Sequence, residues 1–272
     1  MNMLNKDFHT VLEQEVFQTL ARCADNLSLE TYLVGGYVRD HLLGRGKVKD
    51  IDIVAVGSGI KLAKAVQKEL PGAQAVQLFK SYGTAMVNWK DISLEFVGAR
   101  KESYSRESRN PQVSEGTLED DQNRRDFTIN ALAVSLNVKD KGALIDPFNG
   151  LNDLQNGVIK TPLEPGLTYS DDPLRMLRAI RFAAQLNFKI ETQSLKAIQE
   201  NAHRISIISN ERIVEELHKI MLTPQPSNGF LMLEQQCLLE RILPEMIQLK
   251  GIEEIEGQRH TDSFYDNIEV VD

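Results

Sequence analysis

The chain has 272 residues, 42% hydrophobic and 26% charged, which is enough apolar material for a sizeable core and for more than one domain. No apolar run approaches membrane-spanning length, and the N-terminal Met1-Asn-Met-Leu-Asn-Lys-Asp-Phe8 lacks the charged-then-apolar pattern of a signal peptide, so a cytosolic protein with no membrane partner is expected. Two distant cysteines, Cys23 and Cys237, form no CxxC pair and point to neither a disulfide framework nor a zinc site, and the net charge of −8 by itself disfavours a polyanionic partner.

The charge distribution removes that last objection. Residues 251–272 hold seven acidic side chains and one basic one, so −6 of the −8 lies there and only −2 in the preceding 250 residues.

From Asp7 to Leu27 apolar positions (Phe8, Val11, Leu12, Val16, Leu20) recur at helical spacing, and Asn26-Leu-Ser ends the pattern. Tyr32 to Val34 reads as a short strand and Val38 to Leu43 as the start of a helix, with Gly35-Gly36 between them letting the backbone approach a ligand closely. Outward-pointing N–H groups at such a strand-to-helix turn favour anions, and Arg39 adds a forked cation. Asp50-Ile-Asp-Ile53 follows. Its alternation puts Asp50 and Asp52 on one strand face and Ile51 and Ile53 on the other. A solvated face accommodates this pattern, and so does a site for hard Mg²⁺ completed by substrate phosphates.

Gly57-Ser-Gly59 leads into a helix over Ile60 to Leu70, ended by Pro71-Gly72. Ala75 to Phe79, Thr84 to Trp89 and Ile92 to Val97 read as strands, the last two joined by a tight turn at Lys90-Asp91, with Glu95 between Leu94 and Phe96. Periodicity alone makes Glu95 an exposed residue on an edge strand. Gly98 to Asn123 is polar and reads as a long loop. In Arg124-Arg-Asp-Phe-Thr-Ile-Asn-Ala131, Arg125 can bind triphosphate oxygens and Asp126 can accept a hydrogen bond from a ribose hydroxyl; a helix cap with two solvated arginines is the plainer account.

Beyond Pro162 and Glu164-Pro-Gly166 only helical patterns are predicted. One helix starts at Ser170-Asp171-Asp172-Pro173 and runs to Phe188, with Arg175, Arg178 and Arg181 three apart in a basic stripe. An Asp171–Arg175 ion pair with a solvated face explains the stripe. Base chemistry offers another account. Cytosine and adenine each set an exocyclic amino donor beside a ring-nitrogen acceptor, whereas uracil and guanine set a carbonyl beside a ring N–H. A carboxylate and a guanidinium at the spacing of Asp172 and Arg175 complement the first pair and mismatch the second.

Gly-Gly-x-Val-Arg-Asp followed by Asp-x-Asp resembles the signature of polymerase-beta-like nucleotidyltransferases, in the branch of class II tRNA nucleotidyltransferases and bacterial poly(A) polymerases. Residues 124–131 match that family's second motif, Asp146-Pro-Phe-Asn-Gly-Leu-Asn-Asp-Leu154 its third, Asp171-Asp-x-x-Arg175 its fourth and Asn210-Glu-Arg-Ile-Val-Glu-Glu-Leu217 its fifth. The resemblance implies an α/β (α+β) head with a mixed sheet, residues 1–160, a helical neck over 161–222 carrying the nucleotide-selecting helix, and the start of a helical body over 223–272.

It also implies template-independent addition of C and A to the 3′ end of tRNA from CTP and ATP, with release of pyrophosphate. In that picture Asp50 and Asp52 hold two Mg²⁺ ions and Glu95 is a third carboxylate; Gly35, Gly36, Arg39, Arg125 and Asp126 bind the nucleotide; Asp172 and Arg175 read its base, with Arg178 and Arg181 supporting. The loop at 98–123 takes part in the switch from C to A, the third motif closes the head through a turn, a short helix and a final strand at Ile159, and Glu211 and Arg212 are structural. Asp171 departs from the family's glutamate by one methylene. Poly(A) polymerase and CC-only or A-only activities share these motifs, and an inactive RNA-binding module is the reading from another class.

Overall fold

The head grows from the alternation at Asp50-Ile-Asp-Ile53. The structure is a computed structural model and describes residues 4, 7–46, 48–79, 83–105, 108–251, 254–255, 258–259, 263–270 and 272. Two compact units result, one of Met1–Ser103 with Gln112–Asn156, the other of Tyr104–Pro111 with Gly157–Asp272.

In the first unit α1 (His9–Leu12) and α2 (Glu15–Asn26) precede β1 (Thr31–Val34), α3 (Gly36–Leu42), β2 (Asp50–Ala55), α4 (Gly59–Glu69), β3 (Gln77–Phe79), β4 (Thr84–Trp89) and β5 (Ile92–Gly98). The helix predicted over 7–27 is thus two helices, parted at Glu13-Gln14 where Gln14 turns extended. At Lys90-Asp91 the chain makes the predicted two-residue turn, Lys90 taking a φ of 54° and Trp89 pairing with Ile92.

Residues 98–123 correct the expected loop. They form a hairpin of β6 (Arg100–Ser105) and β7 (Ser108–Glu115), then α5 (Leu118–Asn123), which starts with a Thr117–Asp120 capping box. Residues 106–107 lie outside the described ones, as do 256–257 and 260–262 in the acidic tail. After a 3₁₀ turn at Thr128–Asn130 come β8 (Ala133–Ser135), β9 (Leu144–Ile145) and α6 (Gly150–Asn156).

The main sheet runs β3-β4-β5-β2-β1-β8-β9. Only β2 and β5 run parallel within it; every other neighbouring pair is antiparallel. Leu33, Ile51, Ile53, Val87, Leu94 and Phe96 are at most 1% exposed, as are Val16, Phe17 and Leu20 of α2 and Leu62 and Val66 of α4. Burying each such side chain contributes about 1.5–3 kcal/mol. That core fixes the strand register and therefore which side chains share the opposite face.

In the second unit β10 (Val158–Ile159), α7 (Pro165–Asp171), α8 (Leu174–Leu186), β11 (Lys189–Ile190), α9 (Thr192–Asn201), α10 (Asn210–Met221), α11 (Pro226–Gln235), α12 (Leu239–Ile242), α13 (Pro244–Ile247) and α14 (Ser263–Glu269) follow in order. Three expectations change here. Ile159 pairs in parallel with Ile190, so it belongs to a small sheet in this unit and not to the head sheet, and the region after Pro162 is not purely helical. A helix also precedes the predicted start at Ser170: the Glu164 carboxylate accepts from Gly166 N and Leu167 N at 2.9 and 2.6 Å, Pro165 opens α7, and Asp172 stands at the joint before α8. Among the described residues no helix is long and apolar enough to cross a membrane.

Candidate functional site

Parallel pairing of β2 with β5 sets Asp52 opposite Glu95, with Asp50 opposite Ser93. Partners in register share a face, so Asp50, Asp52 and Glu95 point the same way while Ile51, Ile53, Leu94 and Phe96 enter the core. Glu95 is exposed as periodicity predicts, but β5 lies between β4 and β2 inside the sheet, so its setting is not an edge strand. Burial pushes the Asp52 carboxyl up to about 6; Arg125 opposes the rise, and Glu95, Asp50 and Asp121 add to it.

The turn after β1 approaches these carboxylates. Gly35 adopts φ 69° and ψ −136°, a conformation open to glycine, and a Cβ built there would lie 3.0 Å from Asp52 Oδ2 and 3.3 Å from Arg125 Nη1. Gly36 opens α3 with ordinary space around it, its nearest neighbour being Arg39 Nη2 at 3.7 Å.

Arg39 does not face outward as expected. It is 5% exposed, its Nε and Nη2 donate to the two Asp40 oxygens at 2.9 Å each, and its Nη1 donates to Asn130 Oδ1 at 2.8 Å. Sequence spacing placed a cation near the turn but could not reveal two acceptors beneath it. Arg39 therefore pins α3 to the 3₁₀ turn.

Asn130, unremarked within its motif, is the hub of this layer. Its Nδ2 donates to Asp126 Oδ1 at 3.0 Å and its carbonyl accepts from Arg125 Nη1 at 3.4 Å. Asp126, 8% exposed, also accepts from Phe127 N at 2.9 Å through the same oxygen; the turn has no side-chain cap, and Arg124 and Arg125 are paired with Asp121, so the cap with two solvated arginines is not what forms. The third motif buttresses the layer from below. Asp146 accepts from Gly150 N and Leu151 N, Thr128 Oγ1 donates to Asp153 at 2.7 Å, and Gly150 packs so close to the Thr128 carbonyl that an added Cβ would stand 2.4 Å from it.

Two carboxylates on one strand, a third beside them and a glycine turn make a set of hard oxygen donors. Among the described residues no three His, Cys, Asp or Glu side chains form a ready-made cage. Asp50 and Asp52 are a donor pair of the kind Mg²⁺ commonly takes, its shell being completed by water and substrate phosphates. Burial raises Asp52 most and its carboxylate neighbours add to the rise; a divalent cation would oppose both.

In the helical unit, Asp172 Oδ1 accepts from Leu174 N at 3.2 Å and the Asp172 carbonyl accepts from Arg175 N at 3.0 Å. Arg175 is 9% exposed with Nη1 3.5 Å from the Thr168 carbonyl, so the predicted solvated stripe is instead folded into the unit. Burial raises the Asp171 carboxyl above its ordinary range, against the pull of Arg175 and Arg204.

Arg181 departs from its expected supporting role. Its Nε donates to Glu216 Oε2 at 2.6 Å, its Nη1 to Gln185 Oε1 at 3.1 Å, and its guanidinium lies 3.9 Å from the centre of the Phe182 ring. It therefore clamps α8 to α10. Within the fifth motif Glu211 and Arg212 are exposed, and Glu216, 3% exposed, holds the contact. Arg178, half-buried, also flanks the Phe182 ring at 5.5 Å.

A mixed sheet presenting two strand carboxylates and a third from its parallel neighbour beside a Gly-Gly turn defines a polymerase-beta-like nucleotidyltransferase head. Residues 31–160 match the family described as "Poly A polymerase head domain", and residues 187–249 match "Probable RNA and SrmB- binding site of polymerase A". The A-adding tRNA nucleotidyltransferase of Aquifex aeolicus is 39% identical over 81% of this chain and 26% of its own length. The CCA-adding enzyme of Ligilactobacillus salivarius is 39% identical over 74% of this chain and 47% of its own. A crystal structure of tRNA nucleotidyltransferase complexed with a primer tRNA and an incoming ATP analog matches with a TM-score of 0.73 at 33% identity, over 85% of this chain and 66% of that one. The chain thus spans from a quarter to about half the length of these two curated relatives. It belongs to the class II tRNA nucleotidyltransferase and poly(A) polymerase family.

Proposed function

We propose that this chain transfers a nucleotidyl group from CTP or ATP to the 3′-hydroxyl of tRNA, releasing pyrophosphate, and that its product is the CCA end. The division of labour is a catalytic head over 1–160, a nucleotide-selecting neck over 161–222 and a body over 223–272. The observation that carries this reading is the shared face of Asp50, Asp52 and Glu95 beside Gly35 and Arg125.

Asp50 and Asp52 would hold Mg²⁺, two ions in all, and the metal would supply activation of the 3′-hydroxyl and neutralisation of charge developing on the phosphoryl oxygens. Glu95 adds negative charge beside Asp52, while Gly35, Gly36 and Arg125 bind the triphosphate. Asp126 takes the ribose hydroxyl. Arg39 positions the turn from beneath, and Arg181 holds the selecting helix. Asp172 at the joint before α8 and Arg175 in its first turn read the Watson–Crick edge shared in pattern by cytosine and adenine, with Arg178 beside them.

The relatives carry both A-adding and CCA-adding names, so a partial activity is the second reading. Equilibrium titration with the four nucleoside triphosphates in Mg²⁺ tests the selecting pair. CTP and ATP are expected to bind at least about tenfold more tightly than UTP and GTP, one well-made edge contact amounting to about 1–3 kcal/mol. Arg175→Ala is expected to erase that preference. Equal binding of all four by the unmodified chain would remove the selecting role from Asp172 and Arg175.

A further inference from the structure

Behind Arg125 lies a carboxylate to which the reading above gives no role. Asp121, on α5, has a side chain with 0% exposure, yet both its oxygens are taken by guanidinium groups. Oδ1 accepts from Arg124 Nε at 2.9 Å; Oδ2 accepts from Arg125 Nε at 3.0 Å and from Arg125 Nη2 at 2.9 Å. Burial works to raise this carboxyl, and Arg125 and Arg124 outweigh it and hold the group below its ordinary range. Arg124 Nη1 continues the chain to Glu102 of β6 at 3.3 Å, a side chain 4% exposed that also pairs with Arg100.

This row of alternating charges ends at the candidate site. Arg100, Glu102, Arg124, Asp121 and Arg125 make three cations and two anions, a surplus of one positive charge. Arg125 is the terminal cation, and its Nη1 lies 3.3 Å from the same Gly35 position that stands 3.0 Å from Asp52 Oδ2. Asp121 and the Asn130 carbonyl engage three of its five N–H groups and leave an edge on the Gly35 side. A guanidinium already held by a carboxylate loses less rotamer freedom when it takes up a phosphate than one left to itself.

We propose that Asp121 is a positioning residue for triphosphate binding: it fixes the fork of Arg125 beside the Gly35 turn, and through Arg124 and Glu102 it ties that placement to the hairpin strand β6. The proposal rests on the head being a nucleotide site. It goes beyond that reading by giving Arg125's orientation a cause and the 100–115 hairpin a route to the phosphates.

The test is a double-mutant cycle on nucleotide affinity, using the full chain without RNA so that no turnover intervenes. Asp121→Asn is expected to weaken CTP and ATP alike by about tenfold, the size usual for partners that orient ligating groups. Arg125→Gln is expected to weaken both at least as much. The double variant should bind no more weakly than Arg125→Gln alone, because Asp121 acts only through Arg125. Losses that multiply, or an Asp121→Asn chain that binds as the unmodified one does, would overturn the proposal. If Asp121→Asn fails to fold by circular dichroism, comparing the charge-balanced double variant with Arg125→Gln still decides: equal affinities support positioning, unequal ones refute it. An unmodified chain that binds no nucleotide would instead sink the nucleotide-site reading, and this proposal with it.

Discussion

Replacing Asp52 by alanine is expected to lower nucleotidyl transfer by at least about 10³-fold, the scale on which losing a principal electrostatic stabiliser of a transition state is felt. Binding of CTP and ATP should fall far less, because the triphosphate keeps Arg125 and the Gly35-Gly36 backbone. Single-turnover rates set against equilibrium titrations separate the two effects. The same carboxyl has a signature that needs no RNA. Its pKa is raised from 3.8 to about 6 in the folded chain, so its contribution to stability is full below about pH 4 and is lost as the pH rises through about 6. A gap of that size amounts to at most about 3 kcal/mol. Urea denaturation in EDTA should therefore show stability falling between pH 4 and pH 7, Asp52→Asn should remove this component, and Mg²⁺ should restore stability at the upper end. A metal-free chain whose stability does not depend on Asp52 across this range would mean that this carboxyl is neither as buried nor as pressed by its neighbours as its place in the fold indicates.

The second large effect is expected at Gly35. Alanine there must adopt φ 69° with ψ −136°, at a cost of about 1–3 kcal/mol, and its methyl would press on Asp52 and Arg125 together. A displacement of about 1 Å in a reacting constellation can cost about 10²-fold, so Gly35→Ala should lose about that much activity with a modest drop in melting temperature. Gly36→Ala is the matched control. Its added methyl meets only Arg39 at 3.7 Å, and alanine is the better helix former, so the loss should be much smaller. A Gly36→Ala chain more damaged than Gly35→Ala would show that close backbone approach at Gly36, and not the Gly35 contact with Asp52 and Arg125, governs the site.

What the sequence made legible were the features written in local periodicity. Asp50-Ile-Asp-Ile53 shows its two faces by alternation, and Ser58 before a helical run marks the start of α4, where its Oγ accepts from Lys61 N. Features that depend on distant partners were not legible. Glu216 stands 35 residues from Arg181; its place three after Ile213 and four before Ile220 puts it on the apolar face of α10, but nothing in that helix names the cation it meets. Arg39 and Asn130 are 91 residues apart, so a cation that spacing assigns to the phosphates turns out to brace the turn. Asp121 lay in a stretch that reads as a polar loop, because a short helix opened by a capping box has too few apolar positions to show a period. The α7 helix was hidden by Gly166, whose low helix propensity is offset by the Glu164 cap and Pro165. Strands β10 and β11 are two residues each, too short for any alternation to register.

One measurement bears most directly on the claim that the carboxylate face of β2 and β5 performs nucleotidyl transfer. It is primer extension on tRNA transcripts ending at the discriminator base, with CTP alone, ATP alone or both, in Mg²⁺. Two C residues followed by one A, lost when Mg²⁺ is chelated, are predicted. No incorporation from either nucleotide, by a chain that binds both and with tRNA in excess, would contradict the claim.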